Sequence, residues 1–152
     1  MNVIELIEKY HEVIATERAK IPEKILKVKE VRKPEALAEI YYVLQDFDVY
    51  RSRVVDGYRS IGTAIYWTKF ANKITPREAR LLNCLRDRED FEELVWAVKD
   101  KNGTPDLMLL KNEAISFIEV KANNETVKTS TVEFFIRYGH KWPISILRIV
   151  EE

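Results

Sequence analysis

Apolar residues recur along this chain with two different periods, and the switches between them outline its elements. Val3, Leu6, Ile7, Tyr10, Val13 and Ile14 fall at helical spacing, so residues 2–18 read as an amphipathic helix. Pro22 breaks the chain soon after it. Pro34 suits the first turn of a second helix, through about residue 45, with Leu37, Ile40, Tyr41 and Leu44 on one face. Residues 48–55 are rich in β-branched and aromatic side chains and stop at Gly57, which predicts a strand; residues 58–71 lean toward helix. Thr75-Pro76-Arg77-Glu78 is a helix start: Thr75 can cap, Pro76 fits the first turn and Glu78 closes a capping box. Leu81, Leu82 and Leu85 continue that helix. Residues 94–99 read as a strand, 100–103 as a turn and 105–110 as the returning strand. Lys111-Asn112-Glu113 turns the chain again, into a strand over 115–121. Thr129 or Ser130 caps a helix that Gly139 stops, and residues 143–150 form a last apolar strand.

The C-terminal half therefore runs helix, three strands, helix, strand, which predicts an α/β fold. The expected organisation is one domain over 1–152, with 75–150 as its core and 1–70 as an N-terminal elaboration. A chain of 152 residues is long enough to bury a real core. Apolar residues at 46% and charged residues at 33% are a globular mixture, and no apolar run reaches the roughly 18–20 residues that span a bilayer. Glu5, Glu8 and Lys9 rule out a secretory signal at residues 1–10. One cysteine, Cys84, excludes an internal disulfide framework and a cysteine-rich zinc site, so a cytoplasmic, intracellular location without a membrane partner is expected. Net charge is zero, so the chain lacks the global basicity of many nucleic-acid binders. Basic residues gather locally at Lys20, Lys24, Lys27, Lys29, Arg32 and Lys33, either as a solvated connection or as a phosphate-contacting strip.

Candidate chemistry lies on the two C-terminal hairpin strands. Pro105-Asp106 starts one, and Glu119-Val120-Lys121 ends the next, so the turn at 111–114 brings them close. Alternation puts Glu119 and Lys121 on one face and Val120 on the other. Ile115 and Phe117 share the face of Glu119, so an otherwise apolar strand suddenly presents an acid and a lysine. Phosphodiester hydrolysis accounts for them. Asp106, Glu119 and the Val120 carbonyl are oxygen donors suited to Mg²⁺, with Mn²⁺ as a substitute. Lys121 would orient the attacking water and stabilise developing charge. His11 and His140 are far apart and fit no metal-ligand spacing.

Gly103-Thr104-Pro105-Asp106-Leu107 followed by Phe117-Ile118-Glu119-Val120-Lys121 resembles the PD-(D/E)XK nuclease superfamily, with most likeness to the VRR-NUC type and the archaeal Holliday-junction resolvases. The resemblance covers residues 75–150. It implies a restriction-endonuclease-like αβββαβ core, with a mixed sheet flanked by helices. It also implies metal-dependent cleavage of DNA, branched or structured DNA included and occasionally RNA, more often internal than terminal. A homodimer is common in the group. VRR-NUC sequences usually carry a glutamine in the helix after the lysine; here that position is about Thr131, with Glu133 nearby. A glutamate from the helix before the sheet often joins the site. Glu78 fits by position or merely completes its capping box, and Glu35 and Glu39 are its rivals. The competing functional reading is a nuclease-like fold without turnover, serving as a nucleic-acid or protein interaction module.

Overall fold

The computed structural model describes residues 1–52, 76–99 and 103–152; the side chains of residues 77, 78, 82 and 99 lie outside that description. Helix α1 (Val3–Arg18) leads to strand β1 (Glu23–Val28), helix α2 (Pro34–Val43) and strand β2 (Asp48–Arg51). Helices α3 (Pro76–Arg86) and α4 (Phe91–Lys99) precede the hairpin of β3 (Leu107–Lys111) and β4 (Ala114–Ala122). Helix α5 (Thr129–Tyr138) and strand β5 (Ile144–Glu151) close the order.

The strands form one mixed sheet in the order β1-β5-β4-β3-β2. β1, β5 and β4 run parallel, while β3 is antiparallel to both β4 and β2. The β3–β4 turn is a two-residue hairpin: Lys111 pairs with Ala114, and Asn112 and Glu113 hold φ of 51° and 68°. Two positive φ values match the right-handed strand twist, so the register of the hairpin is set locally. Both sheet faces are covered, which is why its strands are apolar on both sides. On one face Met108, Ile115, Phe117 and Ile144 pack with Leu81, Leu85, Leu94, Val98 and Phe134 of the helices. On the other, Leu107, Leu109, Ile118, Val120, Leu147 and Ile149 pack under Ala38 and Tyr42 of α2. Among the described residues no helix is long and apolar enough to cross a membrane.

Three sequence expectations change. The strand expected over 94–99 is helix α4. Its buried residues, Leu94, Val95, Ala97 and Val98, are satisfied by helical spacing, and Glu92 and Glu93 favour a helix N-terminus in the first turn. Trp96 projects outward rather than into the core, and it is half exposed. The first strand of the expected three is therefore β2, so the αβββαβ order reads α2, β2, β3, β4, α5, β5, with α3 and α4 between β2 and β3. The helix that precedes this order is α2, which carries Glu35 and Glu39. Finally, the basic connection contains strand β1. Most of its side chains are exposed, and parallel pairing with β5 makes it a strand where hydrophobic pattern does not. The residues expected as a helix at 58–71, together with Thr75 and Trp67, lie outside the described residues.

Candidate active site

The sheet end where β4 finishes opens into a cleft of about 690 Å³. Asp106, Glu119, Val120, Lys121 and Thr131 line it, facing Lys33, Glu35 and Arg51 across the opening. Each wall has a local cause. β3 starts at Leu107, opposite Ile118, so β4 beyond residue 118 has no β3 partner on that edge. Asp106 fills the place of the missing strand. Its Oδ2 accepts the Val120 N–H at 2.9 Å, and its own carbonyl accepts Ser52 N–H at 3.2 Å. The carboxylate is thereby fixed against the end of β4 on one side and tied to β2 on the other.

Glu119 and Lys121 project from the face of β4 that Phe117 and Ile115 bury, and they remain only 7% and 6% exposed. Buried ionisable groups are costly unless partnered. Thr131, itself 2% exposed in the first turn of α5, donates its hydroxyl to Glu119 Oε2 at 2.9 Å. That one bond does not offset the rest of the environment. Burial, then hydrogen bonding and charge from Asp106, push the Glu119 carboxyl up to about 8, against the lowering effects of Thr131 and Lys121. Two carboxylates in one half-dry place compete for a proton.

Gly103 lets the two walls approach. A Cβ there would run into the Ser130 carbonyl oxygen and lie 3.0 Å from its carbon, both backbone atoms. Only glycine lets the strand-entry turn rest on the first turn of α5, and so sets Asp106 near Glu119. Lys33 immediately precedes α2 at φ 44°, a left-handed conformation that a lysine rarely adopts. The rim beyond β4 is stitched by Arg148 of β5. Its Nε donates to Glu23 of β1 at 2.9 Å, and its Nη1 donates to the carbonyls of Asn123 and Glu125 at 2.9 and 2.7 Å.

The structure thus brings Asp106, Glu119, the Val120 backbone and Lys121 into one cleft. The helix glutamates are placed differently. Glu35 lines the cleft, but Arg51 is salt-bridged to it through Nη1, and to Glu39 through Nε at 2.7 Å. The Glu78 side chain lies outside the described residues. Among the described residues no cluster of three or more His, Cys, Asp and Glu side chains forms a ready metal cage. Lys128 lines the cleft as well. Sequence reasoning marked Thr131 only as a substituted position, and its bond to Glu119 gives it a task there. Arg148 was not singled out, Lys33 was marked only as part of the basic connection, and Gly103 only as the first residue of the Pro-Asp motif.

No protein-family model matches this chain, and no curated protein matches it. Among solved structures, the crystal structure of paFAN1 bound to 5′-flap DNA with a two-nucleotide flap and a gap superposes with a TM-score of 0.51 at 12% identity. The match covers 87% of this chain and 38% of that one, so this chain spans well under half of its neighbour's length. The shared feature is the fold: a mixed five-stranded sheet flanked by helices, of the restriction-endonuclease-like kind.

Proposed function

We propose that the protein is a metal-dependent nuclease that hydrolyses phosphodiester bonds of DNA, with Asp106, Glu119 and Lys121 as its active residues. The observation that carries this reading is the pair of carboxylates lining one cleft, Glu119 buried and Asp106 fixed by the Val120 N–H, with a buried lysine beside them. The donors fit a hard divalent cation. They are all oxygen, they number few enough to leave room for water, and a cation between them removes the cost of two adjacent acids. Val120 adds to the set. Its N–H points at Asp106, and in a strand the N–H and C=O of one residue leave by the same edge, so its carbonyl emerges there too.

Asp106, Glu119 and the Val120 carbonyl would hold Mg²⁺, which when bound acidifies a water and neutralises charge gathering on phosphate oxygens. Asp106 is kept in place by the Val120 amide. Glu119 is oriented by the Thr131 hydroxyl at Oε2 and lies against Asp106. Lys121, walled off from bulk water, aligns a water by hydrogen bonding and presents positive charge to the phosphate as five-coordinate phosphorus forms. Lys33 and Lys128 at the rim attract the backbone of the substrate. The likeness to paFAN1, crystallised on flap DNA, supports DNA as the partner class.

A second reading, a nuclease-like interaction module without turnover, is favoured by the pairing of Glu35 with Arg51 and of Glu125 with the Ala122 N–H, which leaves Asp106 and Glu119 as the cleft acids without such a tie among the described residues. One experiment separates the two. Labelled linear duplex, single strand, 5′ flap, four-way junction and RNA are incubated with wild type and with Lys121→Ala, in Mg²⁺, Mn²⁺ or EDTA. The nuclease reading expects metal-dependent cutting of at least one DNA, lost in the variant. Binding that ignores metal, with no cutting of any member, establishes the module instead.

A further inference from the structure

A buried hydroxyl beside the cleft is left without a partner. Ser52 is 2% exposed, and among the described residues its Oγ is the one buried side-chain polar atom that makes no hydrogen bond. Such atoms are costly to bury, and native folds keep few of them. Its position gives it a use. The Ser52 N–H donates to the Asp106 carbonyl one step beyond the Arg51–Leu107 pair, so Ser52 stands opposite Asp106. One step beyond the Leu107–Ile118 pair, Asp106 stands opposite Glu119. Side chains alternate along a strand, and opposite residues share a face. Two positions away, Tyr50, Met108 and Phe117 form an apolar row across β2, β3 and β4, in the core that packs with Leu81, Leu94 and Phe134. Ser52, Asp106 and Glu119 therefore form a polar row beside it, on the same face. Arg51 points the opposite way, to Glu35 and Glu39 of α2. Cβ atoms of opposite residues lie about 4.5–5.5 Å apart, so a turn of the Ser52 side chain brings its hydroxyl to the Asp106 carboxylate.

We propose that Ser52 is a positioning residue of the metal site, whose hydroxyl donates to the Asp106 carboxylate when a divalent cation is bound there. The proposal rests on the nuclease reading and deepens it, since it gives the segment after β2 a part in the site. Without a cation, the partners of the Asp106 carboxylate are the Val120 N–H and the Glu119 side chain. A cation held by both acids replaces their contact with each other. A carboxylate has about four acceptor positions, so Asp106 can keep the Val120 N–H, take the cation and still accept one more donor. Acids that hold a metal are themselves hydrogen-bonded by a neighbouring group, which fixes their orientation. Thr131 already does this for Glu119. Ser52 is dry, unengaged and across the ladder from Asp106, so each acid of the pair is then backed by one hydroxyl.

The test is calorimetric titration of Mn²⁺ and of Mg²⁺ into the full chain without nucleic acid, beside thermal melts in EDTA, for wild type, Ser52→Ala and Asp106→Asn. Ser52→Ala removes an atom whose burial is uncompensated in the metal-free protein, so its melting temperature in EDTA is expected to equal or exceed that of wild type. The same variant is expected to raise the Kd for both cations by at least about tenfold. A hydroxyl that merely fills space does not give this pairing of an undiminished metal-free fold with a weakened metal site. Cation affinity in Ser52→Ala equal to that of wild type overturns the proposal. So does a lower melting temperature of that variant in EDTA, which would show the hydroxyl already engaged without metal. Failure of the nuclease reading looks different: wild type then binds neither cation, or binds it as well after Asp106→Asn, and the role of Ser52 falls with the site. If Asp106→Asn abolishes binding and Ser52→Ala leaves it intact, only the role of Ser52 is lost.

Discussion

Two pairs of acids lie at or beside the same cleft, and their circumstances differ: Glu35 lines it with Glu39 one turn behind, while Asp106 and Glu119 both line it. Glu35 and Glu39 on α2 share the guanidinium of Arg51, so their charge is already met by a cation built into the chain. Asp106 and Glu119 have each other, the Val120 amide and the Thr131 hydroxyl; burial, then Asp106, raise the Glu119 carboxyl to about 8 in spite of Thr131 and Lys121. A helix glutamate in the right place is therefore not equivalent to a ligand. What sets the β3–β4 side apart is that burial and the Asp106 carboxylate outweigh the nearby Lys121 at Glu119, and sequence position does not reveal it.

The sharpest way to break this contrast is to neutralise one acid on each side. Asp106→Asn is expected to lower Mg²⁺-dependent DNA cleavage by at least about 10³-fold, and Glu35→Gln by no more than about tenfold. Cleavage rates on the most sensitive DNA of the panel decide it, and equal losses would join Glu35 to the metal set. Next in size is the response of the metal-free protein to pH. Because the Glu119 carboxyl is raised in the fold from 4.5 to about 8, it supports stability fully below pH 4.5, and that support is lost as the pH climbs to 8. The melting temperature of the metal-free protein should therefore fall as the pH rises across this window. Glu119→Gln should flatten the slope, and so should saturating Mg²⁺. A wild-type slope no steeper than that of Glu119→Gln would erase the difference between the two pairs.

Gly103→Ala probes how the first pair is assembled. The added methyl group meets the Ser130 carbonyl, so we expect a loss of about 2 kcal/mol in chemical denaturation, with reduced Mg²⁺ affinity. A stability change below a few tenths of a kcal/mol would mean that the walls can part without cost. The smallest effect belongs to the second pair. Arg51→Gln exposes two like charges on α2, but all three side chains are partly solvated, so the expected cost is only about 1 kcal/mol by the same denaturation assay. A much larger cost would make Arg51 the main tie between α2 and the sheet.

How much of this could be read in advance depends on how local its cause is. The β3–β4 hairpin was legible because its turn residues, strand alternation and Pro-Asp entry lie within about twenty residues of one another. Helix α4 was not, because Leu94 to Val98 satisfies strand and helix templates alike over so short a run. Only packing against β3 and α5, with the acidic first turn, decides between them. β1 was hidden for the opposite reason: its lysines mask a strand that exists through pairing with β5, a neighbour more than a hundred residues away. Misplacing one strand moved the helix before the sheet from α2 to α3, and with it attention from Glu35 to Glu78. The raised Glu119 carboxyl was illegible in principle, since it arises from burial and from Asp106 thirteen positions earlier.

Arg148 joins three stretches of chain that are distant in sequence: the edge strand at Glu23, the loop at Asn123 and Glu125, and its own strand β5. For anyone wishing to redesign what this cleft accepts, the loop after β4 is the obvious piece to exchange. It is not a free module. A graft that keeps the incoming loop but loses its two carbonyl acceptors would leave a guanidinium without work and the edge strand without its clasp. Successful transplants should therefore carry Glu23, Arg148 and the loop as one inherited unit.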